Sequence, residues 1–333
     1  MKRKLLSNLP DIVYDGNNVA FSANLLSALL QGVGERCEKA KLVALSGQGN
    51  RFCWTDGAWA FGNEETSSID QAPFASQRRV LHALGWDSCV QIPQKQALDP
   101  AQIRQTLVSS IDQGHPVLVR YIQQDDCNSD LFFGYEENGQ RMVGYRKQGG
   151  AAAQEGWESN LASYLLLLNK GREANPRDTA LTAFRFVVEH AKSNEEIHGR
   201  KVGLAAWASF LHHLAKDDFS SLTPSQLKDR FIIYCDALCQ IDARREPLPY
   251  YRQLAGLFPQ WKQALETASA AWEECASYGG FLWSRGFTFD QAGFEKFRSV
   301  EERAVLAEAG CAAMQQEEQA VKQIESILRL EEV

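Results

Sequence analysis

Apolar positions change period several times along the first half of the chain. In AFSANLLSALLQGVG, Ala20, Leu25, Leu29 and Val33 recur at helical spacing and Gly34 ends the run. LVALSG and NRFCW read as short extended pieces around a glycine-rich bend. DPAQIRQTLVSSIDQG carries full helix punctuation: Asp99 as N-cap, Pro100 at the first helical position, Gln102 completing a capping box, Gly114 as stop. Extended segments follow in PVLVRYI, LFFGYE, RMVGYR and SYLLLLNKG. Glu136-Glu137-Asn138-Gly139 between two of them is a hairpin signal. GGAAAQEG reads as a flexible loop. Helices first and several antiparallel strands later predict an α+β domain rather than alternating βαβ units.

The pattern changes near NKGREANPRD. Beyond it, helical periods dominate in TALTAFRFVVEHAKS, GLAAWASFLHHLAK, PSQLKDRFIIYCDALCQIDARRE, QWKQALETASAAWEECASYGG and a long final segment from Ser299. Thr223 with Gln226 and Ser299 with Glu302 form capping boxes. Short connections favour antiparallel neighbours, hence an all-α bundle. The expected organisation is a mixed domain over 1–171 and a helical domain over 172–333.

A net charge of −7 argues against nucleic acid as partner, because phosphate contacts need a basic face. No apolar run is long enough to span a bilayer, and Ser7, Asn8, Pro10 and Asp11 interrupt the basic start, so neither a membrane span nor secretion is expected. The eight cysteines contain no CxxC pair and read as reduced thiols in a cytoplasmic protein. Cys235 and Cys239 share a helix face without a completing ligand, which favours burial over metal binding. On a helix, His212 shares a face with Ser209, and His213 with Asp217; one carboxylate and one imidazole do not make a metal site. DARRE reads as a solvated ion-pair cluster at a helix end. No Walker or GxGxxG motif is present, and no cofactor is expected.

SANLLSALLQGVG, LVALSGQGNRFCW, LHALGW, DQGHPVLV and LFFGYEENGQRMVGY, in that order, resemble the papain-like cysteine peptidases. The similar branch is that of bacteriocin leader peptidases and the N-terminal region of the butirosin biosynthesis protein H. The resemblance covers roughly 15–170 and implies a papain-like fold. It also implies a thiol nucleophile at the start of the first helix, where DGNNVAFSANLL offers only Ser22. Asn17 and Asn18 stand where the family has an oxyanion-hole amide, or simply form a turn. The family's histidine falls near Asn128, and its orienting residue near Gly144 or Tyr145.

Ser22, Cys53, Cys127 and His115 are therefore the candidate catalytic residues, each with a structural alternative. Cys53 and Cys127 are the thiols closest to the expected cleft; His115 is a base candidate or a turn residue before Pro116. Asn17, Asn18, Ser22, Asn128 and Asp130 are the candidate ligand-binding residues. The expectation is a papain-fold protein with a degenerate triad that binds a small polar ligand, peptide or partner. The alternative is an acyltransferase or hydrolase of the butirosin type with a relocated cysteine. A third reading makes the helical domain a homodimer interface.

Overall fold

The structure is a computed structural model. It describes residues 2–7, 9–12, 18–56, 59, 72–121, 130–146 and 150–332, with the backbone alone for 18–21. The fold is α+β, with an antiparallel sheet and a C-terminal helical region. Its contacts divide it into two units, Met1–Ser46 with Asp70–Thr179, and Gly47–Ile69 with Ala180–Val333. This differs from a single cut after residue 171: an early segment belongs with the late helices.

The first unit opens with β1 (Lys4–Leu5), α1 (Asn18–Gly32) and α2 (Lys39–Ser46). LVALS is thus helical rather than extended. Leu42–Leu45 are all buried, and a short apolar run hides the period that would separate helix from strand. Helix α3 (Ala75–Ala83), strand β3 (Trp86–Gln91), the single turn α4 (Pro93–Gln96) and helix α5 (Pro100–Asp112) follow. Asp99 and Gln102 form the expected reciprocal cap of α5. Then come β4 (Val117–Tyr121), β5 (Asp130–Glu136), β6 (Arg141–Arg146), β7 (Gly150–Glu155) and β8 (Leu161–Lys170).

The sheet order is β3-β8-β4-β5-β6-β7, with β1 also on β5, and every pairing is antiparallel. GGAAAQEG is not a loop: Gly150–Glu155 pairs residue for residue with β6. Backbone pairing overrides its weak strand propensity at the sheet edge. Ile103, Leu107 and Ile111 of α5 pack on Val117, Val119, Phe132 and Tyr164, the alternating inward positions of the sheet.

The second unit contains α6 (Pro176–Lys192), whose first residues cluster with the first unit, and α7 (Gly203–Lys216), α8 (Pro224–Asp242), α9 (Leu248–Leu257), α10 (Lys262–Ser284), α11 (Gln291–Arg298) and α12 (Val300–Glu331). Thr223 and Gln226 close a capping box on α8. At α12 only half of the expected box forms: Ser299 accepts from the Glu302 amide, while the Glu302 carboxylate pairs with Arg285. A strand absent from the helical reading, β9 (Lys201–Val202), pairs with β2 (Cys53–Trp54). This pairing seats Phe52, Trp54 and Trp59 in an aromatic core with Trp207, Phe210, Phe231 and Phe297. Trp54 lies edge-on to Trp59 and Phe210, each at 5.0 Å between centroids.

DARRE is not an exposed charge run either. Arg245 pairs at the surface with Asp242, but Arg244 is wholly buried on Glu317 of α12. It also donates to the carbonyls of Asn50, Arg51 and Gln240, which satisfies the charge and explains its place in the core. Among the described residues no helix is long and apolar enough to cross a membrane.

Candidate functional site

The described candidates from sequence fall on separate elements and in both units. Asn17, Cys127 and Asn128 lie outside the described residues. Asn18 is the first residue of α1. Ser22 is buried within that helix rather than capping it. Asp130 is fully buried at the start of β5, opposite Val119. His115 is half-buried; its Nδ1 lies 3.3 Å from the Leu167 carbonyl and its ring sits edge-on to Trp86.

Cys53 belongs to the second unit and is completely buried. Both its amide and its Sγ meet Gln240 Oε1, at 3.2 and 3.7 Å. Arg51, two residues before it, lies over the Phe186 ring at 5.3 Å. Burial pushes the Cys37 thiol up to about 11 and that of Cys235 up to about 12, and raises Cys275 well above the ordinary range. A nucleophilic thiol needs the opposite shift. Cys239 is exposed, and no group of His, Cys, Asp and Glu among the described residues could hold a metal ion.

A polar cleft is instead built where β2 meets β9. The register Cys53↔Val202 and Trp54↔Lys201 brings Lys201 beside the turn that follows Trp54, which carries Asp56. Gly203 then starts α7 with φ +58°; a Cβ there would sit 2.2 Å from the His190 carbonyl oxygen. Only glycine permits this entry. From it, α7 presents Ser209, His212 and His213, spaced by three and four residues, on one face.

Asp56, Lys201, Ser209, His212 and His213 line a cleft of about 490 Å³. Lys201 Nζ lies 2.5 Å from Asp56 Oδ2, and the Ser209 hydroxyl donates to Asp56 Oδ1. Those two hydrogen bonds, that from Lys201 first, hold the Asp56 carboxyl below its usual range. His213 Nδ1 meets Asp217 Oδ1 at 3.0 Å, and Trp59 Nε1 donates to the other carboxylate oxygen at 2.6 Å. Arg303, fully buried, donates to the carbonyls of Leu214 and Asp217 at 2.5 and 2.6 Å.

The cleft therefore combines an ammonium, an ionised carboxylate, a hydroxyl and two imidazoles. Sequence reading found the pairs Ser209/His212 and His213/Asp217 on α7, because helical spacing is local. Asp56 and Lys201 join them only through the β2–β9 pairing, for which two-residue strands leave no periodic signal. No protein-family model matches the chain, and comparison with curated proteins finds no match.

Proposed function

We propose that this protein binds a small polar ligand carrying charge of both signs, and that it is not a cysteine peptidase. The observation that carries the reading is the contact of Lys201 with Asp56 in an open cleft flanked by Ser209, His212 and His213. Adjacent opposite charges suit a zwitterion or an amide-bearing molecule better than a phosphate, which Asp56 would repel. The first unit is read as a papain-like scaffold that has lost its chemistry. Its helix α1, followed by an antiparallel sheet holding the 130–146 hairpin, supports that descent. None of the described cysteines is in a disulfide, which supports a cytoplasmic setting.

Isothermal titration of the full chain with free amino acids and dipeptides tests the reading. Saturable binding that weakens about tenfold or more in both Lys201→Met and Asp56→Asn is expected. Binding that survives both substitutions, or none across the panel, sinks it.

A further inference from the structure

We infer that α3 and the start of β3, in the first unit, form a second binding site, for a small phosphomonoester whose organic part carries hydroxyl groups. The site shares no residue with the α7 cleft and does not rest on the reading given for it.

Helix α3 has two faces. Val80, Leu81 and Ala83 are buried, while Arg78, Arg79 and His82 lie together at three- and four-residue spacing on the other side. These three line a cavity of about 340 Å³ with Trp86, Asp87 and Ser88 of β3. The turn that joins the two elements is tight. Gly85 has φ +85°, and a Cβ there would lie 2.1 Å from the Arg172 carbonyl oxygen. Successive strand residues ordinarily point to opposite faces. Here the ladder shifts, with Trp86 pairing to Lys170 and Ser88 to Leu167, and such irregularities re-aim side chains. Three consecutive residues of β3 therefore border one cavity. Trp86 is fixed by its indole, which donates to Glu35 Oε2 at 2.5 Å. Lys170 Nζ meets the same oxygen at 3.2 Å, so that carboxylate is already matched by an ammonium.

The lining groups define the ligand. The side chains of Arg78, His82, Asp87 and Ser88 make no hydrogen bond or ion pair among the described residues. Opposite charges that border one cavity without closing on each other leave the space between them to a ligand. Arg79 Nη1 donates to the Ser46 carbonyl at 2.7 Å, which holds its charge in place. Two guanidiniums against one carboxylate leave an excess of positive charge, which favours a dianion over a neutral molecule. Arginine matches phosphate with a planar fork of donors. Asp87, as a carboxylate, only accepts hydrogen bonds and repels the phosphate, so it takes the other end of the molecule, where hydroxyl groups donate to it. The volume lies near the lower end of small-molecule pockets, about 300–1,000 Å³, which suits a phosphorylated sugar.

The test is isothermal titration of the full chain at low salt with D-ribose 5-phosphate, D-ribose and inorganic phosphate. Saturable binding of ribose 5-phosphate is expected, with inorganic phosphate weaker and ribose silent. Arg78→Gln should weaken ribose 5-phosphate about tenfold or more, the scale of one lost hydrogen bond to a charged group. Asp87→Ala should bring ribose 5-phosphate and inorganic phosphate to similar affinities, because it removes the group that reads the sugar. Should Arg78→Gln misfold, the wild type is treated with phenylglyoxal and mapped by peptide mass spectrometry. Arg78 should be labelled, and ribose 5-phosphate, but not ribose, should protect it. The proposal is overturned by no saturable binding of ribose 5-phosphate, by binding that survives Arg78→Gln, or by labelling of Arg78 that ribose 5-phosphate leaves unchanged. Inorganic phosphate binding the wild type as tightly as ribose 5-phosphate overturns the assignment of the hydroxylated part to Asp87.

Discussion

The two ends of the segment from Gly47 to Trp59 meet the same helical unit in opposite ways. At its start, Asn50, Arg51 and Cys53 are sealed: Tyr251 donates to Asn50 Oδ1, Arg244 reaches the carbonyls of Asn50 and Arg51, and Gln240 takes the Cys53 amide. Near its end, Asp56 pairs with Lys201 in a cleft and remains exposed. Polar chemistry at the first end is spent on internal partners, where losing one leaves an orphaned buried charge. At the second end it faces solvent, contributes little to stability and stays accessible to a ligand. A reactive-looking residue type is thus informative only with its burial: the thiol sits at the sealed end, the imidazoles at the open one.

The contrast can be broken most severely by removing the segment. Residues 172–333 expressed alone lose Phe52, Trp54 and Trp59 from their core. Each missing buried aromatic costs about 3–5 kcal/mol, against a typical total of about 5–15 kcal/mol. No cooperative thermal transition is expected by circular dichroism; a sharp two-state melt would show that the segment is dispensable.

A smaller effect sharpens the sealed end. Glu317→Ala strands Arg244 in the core and should cost about 3–5 kcal/mol in denaturant unfolding, whereas Arg244→Met with Glu317→Leu should cost far less. Equal losses in the single and double variants would mean that packing, not the orphaned charge, dominates.

The smallest effect belongs to the open end. Asp56 is held below its ordinary range by Lys201 and Ser209, so its folded value lies below its unfolded one. Its contribution is therefore present above the unfolded value and lost as pH falls through the folded one. Lys201→Met should destabilise the protein by less than about 1 kcal/mol at neutral pH, since the pair is exposed. That difference should shrink as pH falls through the lowered folded value of Asp56. A gap that stays as wide on acidification as at pH 7 would assign the loss to the lysine stem rather than to the ion pair.

What could be read from sequence follows the range of the interactions. The caps at Asp99 and Thr223 were legible because donor and acceptor lie three residues apart. Strands β4, β5, β6 and β8 were legible as apolar extended runs, whereas β1, β3 and β7 were not read as strands. LVALS was misread because a run apolar on all sides has no period, and GGAAAQEG because an edge strand is made by its neighbour's backbone. Arg244 looked like surface because its partner Glu317 lies far along the chain. The candidate site was half visible: α7 supplied its imidazoles by local spacing, while Asp56, Lys201 and Trp59 arrive through long-range pairing.

The short β2–β9 pairing also bears on how the protein is made. Cys53 leaves the ribosome about 150 residues before Val202, its partner in the ladder. At ~5–20 residues per second that is a wait of roughly 7 to 30 s. Through that interval Phe52 and Trp54 have been synthesised but the helices that bury them have not. A pair of aromatic side chains held that long without their final contacts is a natural target for a chaperone that grips apolar segments. Slowing elongation between codons 60 and 200 should lengthen this exposure and lower the soluble yield, while synonymous changes after codon 300 should not.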